Sequence, residues 1–363
     1  MCPPGRNHPD LILQRKGLFV ALPQSILLKG NQQITPWEMP VMNNLRPLGH
    51  SPITISAIGL GCWQFSEGSG LAGGYWPALP QETVNQIVAA SLAGGITWFD
   101  TAEVYGGGRS EAALAKALIT AGKKNGDVVV ATKWWPMLRT AGSIKATIAE
   151  RLTRLAPFGI DLYQVHQPFA LASTAAQMCA MADLVADHSI RTVGVSNFSA
   201  ARMRAAHKAL AAGGIPLVSN QVPYSLLNRR IETKGVLAAA KELGITIIAY
   251  SPLAQGVLSG KFHRDPSLIR SRPGPRKWMT SFRRRGLERS RPLVTALEEI
   301  AQTYGATASQ VALNWLVHSS GDTVVVIPGA TSVAQAAENA AATRFCLSVS
   351  EVKRLEELSR PFC

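Results

Sequence analysis

Eight short runs of β-type, largely apolar residues recur along this chain, with helically spaced segments between most of them. The runs fall at 57–62, 96–100, 127–132, 161–165, 191–195, 217–220, 246–250 and 323–327. Some are near-continuously apolar, as in Thr246-Ile247-Ile248-Ala249-Tyr250. Strands buried on both faces read that way, which points to a parallel sheet lying under helices. The segments 83–93, 110–119, 144–155, 172–187, 200–211 and 233–243 supply the helices, with Leu114, Leu118, Ile148, Leu152 and Leu155 at three- and four-residue intervals. Gly94-Gly95, Gly213-Gly214 and Gly244 stand where left-handed caps are wanted. Eight such units predict an α/β fold, a single closed (β/α)8 TIM barrel, after a short hairpin over 45–55. The Gly-x-Gly-x-x-Gly fingerprint of open dinucleotide-binding sheets follows none of the strands; Gly106-Gly107-Gly108 has the wrong spacing and reads as a flexible turn.

A chain of 363 residues accommodates one such barrel, expected over 43–363. Residues 1–42 are proline-punctuated and lack periodicity, and three readings stay open: a disordered extension, an organelle transit peptide, or an upstream start, with Met39 and Met42 as later ones. No run approaches 18 apolar residues, so no membrane span is expected. The five cysteines are scattered without a Cys-x-x-Cys pair, which argues against a metal site or a disulfide framework. A reducing, cytoplasmic location is expected, with a plastid as the alternative if 1–42 is a transit peptide.

Net charge is +14, and 261–291 alone holds eleven Lys or Arg against two acids. Charge gathered in one segment suits a local anion clamp better than a long basic stripe, so no nucleic-acid partner is expected. This segment opens the long interval, about 251–322, between the seventh and eighth strands. Long loops on the active face of a barrel usually carry function. Its second half should hold helices at 292–304 and 307–318, with two more at 332–342 and 350–359 after the last strand.

Asp100, Lys133 and His166 each close a β-rich run, and Tyr105 lies five residues beyond Asp100. In a parallel barrel those ends meet on one face. A phenol donates a proton to a developing alkoxide only if its pKa of about 10 is brought down, and a neighbouring ammonium does that. Lys133 is the candidate ammonium, with Asp100 orienting it and His166 polarising the substrate oxygen or relaying the proton.

Asp, Tyr, Lys and His in this order resemble the tetrad of the aldo-keto reductases, and the resemblance runs from about 45 to 359. Its further motifs are Gly194-Val195-Ser196-Asn197, Ser219-Asn220-Gln221-Val222 and Ala249-Tyr250-Ser251-Pro252-Leu253-Ala254-Gln255-Gly256. The resemblance implies NADPH-dependent reduction of a small-molecule aldehyde or ketone, with NADP(H) as cofactor. Ser196, Asn197 and Gln221 would hold the nicotinamide carboxamide, Tyr250 would stack on its ring, and Ser251, Pro252, Leu253 and Gln255 would continue the cofactor site. Gly329, Thr331, Gln335, Glu338 and Asn339 would meet the adenosine end. Gly329 and Gln335 replace the Lys and Arg of many members, a pattern similar to the potassium-channel β-subunit and pyridoxal-reductase-like branch. Lys261, for the pyrophosphate, and Arg270 or Arg272, for the 2′-phosphate, are the expected replacement cations. Trp63, Phe65, Trp134, Trp135 and Tyr224 are the expected aromatic walls of the substrate pocket. The alternative is a regulatory subunit that binds NADPH and turns over slowly; the complete tetrad weighs against it.

Overall fold

In the computed structural model, which describes residues 45–68, 73–271 and 274–363, a hairpin precedes eight parallel strands. The expectations for 1–42 and for Arg272 fall outside these residues. The hairpin pairs β1 (Leu45–Pro47) with β2 (Thr54–Ser56). The sheet runs in chain order through β3 (Leu60–Gly61), β4 (Trp98–Asp100), β5 (Val129–Trp134), β6 (Leu162–Val165), β7 (Thr192–Ser196), β8 (Leu217–Pro223), β9 (Thr246–Tyr250) and β10 (Val324–Val326). Parallel bridges Ile58 to Val326 and Gly61 to Gly329, with Gly59 N–H donating to Val326 O at 2.8 Å, join the last strand to the first. The predicted (β/α)8 barrel is therefore the observed fold.

Helices cover the outside: α1 (Gln81–Ala93), α2 (Arg109–Thr120), α3 (Gly142–Leu155), α4 (Thr174–Ala186), α5 (Ala200–Ala211), α6 (Arg230–Thr233) and α7 (Val236–Leu243). After β9 come α8 (Lys261–Arg264), α9 (Arg284–Thr303) and α10 (Ala308–His318); after β10 come α11 (Val333–Ala340) and α12 (Val349–Ser359). Two differ from expectation. The helix predicted over 233–243 breaks into α6 and α7 because Gly235 takes φ +70°, a left-handed conformation that interrupts the hydrogen-bond ladder. The helix predicted from Pro292 begins at Arg284, leaving the proline inside it. Its first turn buries Leu287 against Val257, Phe262 and Phe282, and an exposed ion pair, Arg284 Nε 2.8 Å from Glu288, lies on the outer side.

Most of the apolar core lies between sheet and helices. A smaller cluster fills the end of the barrel away from the tetrad, where Leu48, Ile53 and Ile55 of the hairpin meet Trp98, Ala131, Leu162, Val218, Ile248 and Val325. The Trp98 indole N–H donates to Ser56 O at 2.8 Å. Buried Arg46 donates to Val317 O at 2.7 Å, to Gly321 O at 3.1 Å and to Val324 O. Bonds from a charged donor contribute about 1.5–3 kcal/mol each, so the hairpin is a firmly held plug. None of the described helices is long and apolar enough to cross a membrane.

Candidate active site

Strand alternation aims the tetrad inward. Along β5, Ala131 and Lys133 face the barrel interior while Thr132 and Trp134 face the helices. Lys133 is fully buried; its ammonium donates to Asp100 Oδ2 at 2.5 Å and to Thr101 O at 2.8 Å, and lies 3.5 Å from the Tyr105 hydroxyl. The other Asp100 oxygen accepts from Gln221 at 2.9 Å and from Gln164 of β6 at 3.1 Å. With both oxygens engaged, the carboxylate is oriented from two sides. The imidazole of His166 stands edge-on to Tyr105, ring centres 5.6 Å apart.

Burial opposes the Lys133 charge, but Asp100, then Tyr105, leave its pKa above the ordinary ammonium value. Burial pushes the Tyr105 phenol up, and the Lys133 ammonium works against that rise. The lowering foreseen from the ammonium is thus present as a force but not as a net depression. Burial, then the Lys133 charge, hold His166 well below the usual imidazole range, so at neutral pH it is uncharged. Burial likewise raises the Cys62 thiol well above its usual value, which leaves it an inert packing group.

A second polar layer sits behind the tetrad. Buried Glu103 accepts from the Trp135 backbone N–H at 2.5 Å and from Arg139 at 2.6 Å, with Arg151 at 3.4 Å. Arg151 also faces Glu111 at 3.4 Å, and Glu111 accepts from Thr132 at 2.6 Å. Burial pushes the Glu111 carboxyl up to about 7 against the pull of Arg151. Glu103 thereby ties the loop after β4 to the loop after β5, and Trp135 is held with its ring 5.1 Å from His166.

These groups open into a cavity of about 870 Å³. That lies near the upper end of ligand pockets, roughly 300–1,000 Å³, leaving space for more than a small carbonyl compound. Trp63 and Trp135 line it, with Tyr75, Trp76 and Met137, which the sequence reading missed. Trp63 stacks on Tyr105 at 5.9 Å and meets Tyr75 at 5.2 Å. Three expected walls lie elsewhere. Phe65 is buried in the core; Trp134 is still inside β5 and faces α3, donating to Ser143 at 3.1 Å. Tyr224 turns into the helix layer, its hydroxyl 2.8 Å from Glu232 and its ring 6.0 Å from Trp315. A Tyr-Trp pair in a glycine- and proline-rich segment after the first strand was the available signal for Tyr75 and Trp76.

The other half of the cavity is polar. Ser196, Asn197, Gln221, Tyr250, Ser251, Pro252, Leu253, Gln255, Lys261, Gly329, Thr331, Gln335, Glu338 and Asn339, all expected at a cofactor, line it. Tyr250 donates to Asn197 Oδ1 at 3.0 Å. Ser251, Ala254, Gln255 and Gly256 all have positive φ, and the loop after β9 turns tightly on itself, with the Ala254 N–H donating to Ser251 O and the Gly256 N–H to Leu253 O, both at 2.9 Å. Gln335 Oε1 accepts from the Thr331 N–H at 2.9 Å and hydroxyl at 3.1 Å. Exposed Arg270 is not on the wall; Arg264, one helical turn after Lys261, is. A basic loop offers many charges, and among the described residues those that line the cavity are the two on α8. An extended ligand with phosphate groups at one end and a flat polar ring at the other fits this donor set.

Residues 57–360 match the model of the aldo/keto reductase family. An uncharacterised oxidoreductase of Mycobacterium tuberculosis is 40% identical over 309 residues, 85% of this chain and 90% of that protein. The chloroplastic pyridoxal reductase of Arabidopsis thaliana is 33% identical over 334 residues, 88% of each. Among solved structures, an aldo/keto reductase of Klebsiella pneumoniae in complex with NADP and acetate superposes with a TM-score of 0.66 at 26% identity, covering 86% of this chain and 94% of that one. A barrel with an acid–base cluster at its mouth and relatives of this extent admit one assignment: the chain is an oxidoreductase belonging to the aldo/keto reductase family.

Proposed function

We propose that this protein reduces an aldehyde or ketone to the alcohol with NADPH, Tyr105 giving the proton. The observation that carries the reading is the Asp100–Lys133–Tyr105 chain, at 2.5 and 3.5 Å, beneath a cavity walled by aromatics on one side and phosphate-suited groups on the other. NADPH, when bound, supplies the hydride that adds to the carbonyl carbon. The carbonyl oxygen takes the Tyr105 proton; Lys133 stabilises the phenolate left behind, and neutral His166 orients the oxygen. Trp63 and Trp135 exclude water and favour flat, apolar substrates. Among the described lining residues, the charged side chains beyond the tetrad are Lys261, Arg264 and Glu338 at the polar end, so carboxylated or phosphorylated carbonyls gain nothing at the aromatic end.

An absorbance assay of NADPH consumption with benzaldehyde, a short aliphatic aldehyde, a ketone and pyridoxal tests this. Pyridoxal is included because the Arabidopsis relative is named for reducing it. Turnover with none of the four would overturn the proposal. We further propose Lys261 and Arg264 as the cations that face the cofactor phosphates. Lys261→Ala and Arg264→Ala should each weaken NADPH binding by roughly 1 kcal/mol, below the usual range for charged hydrogen bonds because Arg264 is exposed and already pairs with Glu298. Unchanged dissociation constants in calorimetric titration would return both residues to the solvated surface.

A further inference from the structure

Gln64 stands in the 3-10 turn that follows β3, is only 6% exposed, and lines the cavity. Its Oε1 is buried without a hydrogen-bond partner. A buried carboxamide oxygen without a donor costs about 1–3 kcal/mol, so something outside the chain is its natural partner. Across the barrel seam, Gly329 is close enough to this amide that a Cβ there would overlap both its oxygen and its nitrogen. Gly329 is one of the two positions where the cation of many family members is missing, and the space beside it is filled by Gln64. The glycine is needed because the glutamine is there.

We infer that Gln64, seated on Gly329, binds a ribose hydroxyl in the part of the dinucleotide that NADPH and NADH share. This rests on the proposed nicotinamide-dependent function. A carboxamide offers an acceptor beside two donors. A hydroxyl answers both, whereas a phosphate oxygen would leave Oε1 facing another acceptor. The position agrees: Gln64 lies between Trp63, which stacks on Tyr105 at 5.9 Å, and Gly329 towards the adenosine end, so its amide faces the middle of the dinucleotide. Thr331 and Gln335, at the adenosine end, already satisfy one another.

The test measures NADPH and NADH dissociation constants by quenching of intrinsic tryptophan fluorescence. The variants are Gln64→Met, Gly329→Ala and the double variant, each checked for an unchanged thermal midpoint. Met keeps the length of the side chain and removes its hydrogen bonding. Each single variant should weaken both cofactors about tenfold, the size of one hydrogen bond. The atoms that a methyl group on Gly329 would meet are the far end of a flexible side chain, so Gly329→Ala should displace Gln64 without unfolding the barrel. The double variant should be no weaker than either single one, because both remove the same contact. Unchanged binding in a folded Gln64→Met protein overturns the inference, as does a loss confined to NADPH or additive losses in the double variant. Wild-type protein that binds neither dinucleotide would instead bring down the functional reading itself.

Discussion

Tyr105→Phe is expected to lower kcat by at least about 100-fold, the low end of what a positioned general acid contributes, with NADPH affinity unchanged. The phenol is the tetrad group that combines a proton at neutral pH with a place at the cavity floor. Lys133 is fully buried and committed to Asp100 and Thr101, and His166 is uncharged there. Removing one oxygen leaves the ring stacked on Trp63 and against His166, so the walls stay in place. Single-turnover rates and cofactor titration on the same preparation separate the two effects. Near-normal turnover would remove Tyr105 from the proton-donor role. In the unsubstituted enzyme the kcat profile should show no inflection near the ordinary imidazole value of about 6.5, because His166 stays neutral through that range. The phenol's pKa is raised, so the donor form persists below it and activity falls only on the alkaline side.

Lys133→Met should have the second-largest effect, and it should appear in stability as well as in rate. The variant leaves the Asp100 carboxyl buried inside the barrel without its ammonium, with two neutral amides as partners. Breaking a buried ion pair from one side typically costs about 3–5 kcal/mol, readable as a lower denaturation midpoint. In the active site, the ammonium that counters the burial of Tyr105 is gone, so the phenol becomes a still weaker acid. kcat should drop and its alkaline limb should move to higher pH. Asp100→Asn keeps the ammonium near the phenol and should lose less rate. The Lys133 pKa is raised in the fold, so its contribution to stability is fully present below the ordinary ammonium value and fades as pH rises through the folded one. Overlaying pH–rate profiles for Lys133→Met and wild type would show the lysine and the tyrosine to be uncoupled.

Strand ends decide what can be read in advance. Asp100 ends β4, Lys133 lies one residue from the end of β5, and His166 follows β6, so the strand ends gather all three without knowledge of any contact. The misplaced Trp134 has a simple cause: the β-type run at 127–132 stops short of β5, which continues to Trp134. Side chains alternate faces along a strand, so a boundary off by two or three residues turns an imagined rim residue into a wall of the helix layer. Tyr224 follows the end of β8 at Pro223, but its hydroxyl bonds Glu232 and its ring packs on Trp315. Trp135, one position beyond the true end of β5, faces the cavity. Neutral amides are invisible for another reason. Gln64 and Gln164 carry no charge, periodicity or motif, and only the fold shows that Gln164 reaches Asp100 while Gln64 lies over Gly329. The basic segment is the opposite case, with more cations than a ligand could use and nothing in the spacing to choose among them.

The hairpin has a bearing on how this chain must be made. The carbonyls that Arg46 grips lie 271, 275 and 278 positions downstream. Synthesis proceeds from the N-terminus at about 5–20 residues per second, so most of the polypeptide must leave the ribosome before the hairpin finds its seat. Until then Leu48, Ile53 and Ile55 have no complete floor to rest on, and the newborn protein carries exposed apolar surface for many seconds. Contacts this distant in sequence are slow to form because their loop-closure cost precedes any gain. Shortening the chain from its C-terminal side past Val317 would strip the hairpin of all three anchoring carbonyls as well as removing the last strand.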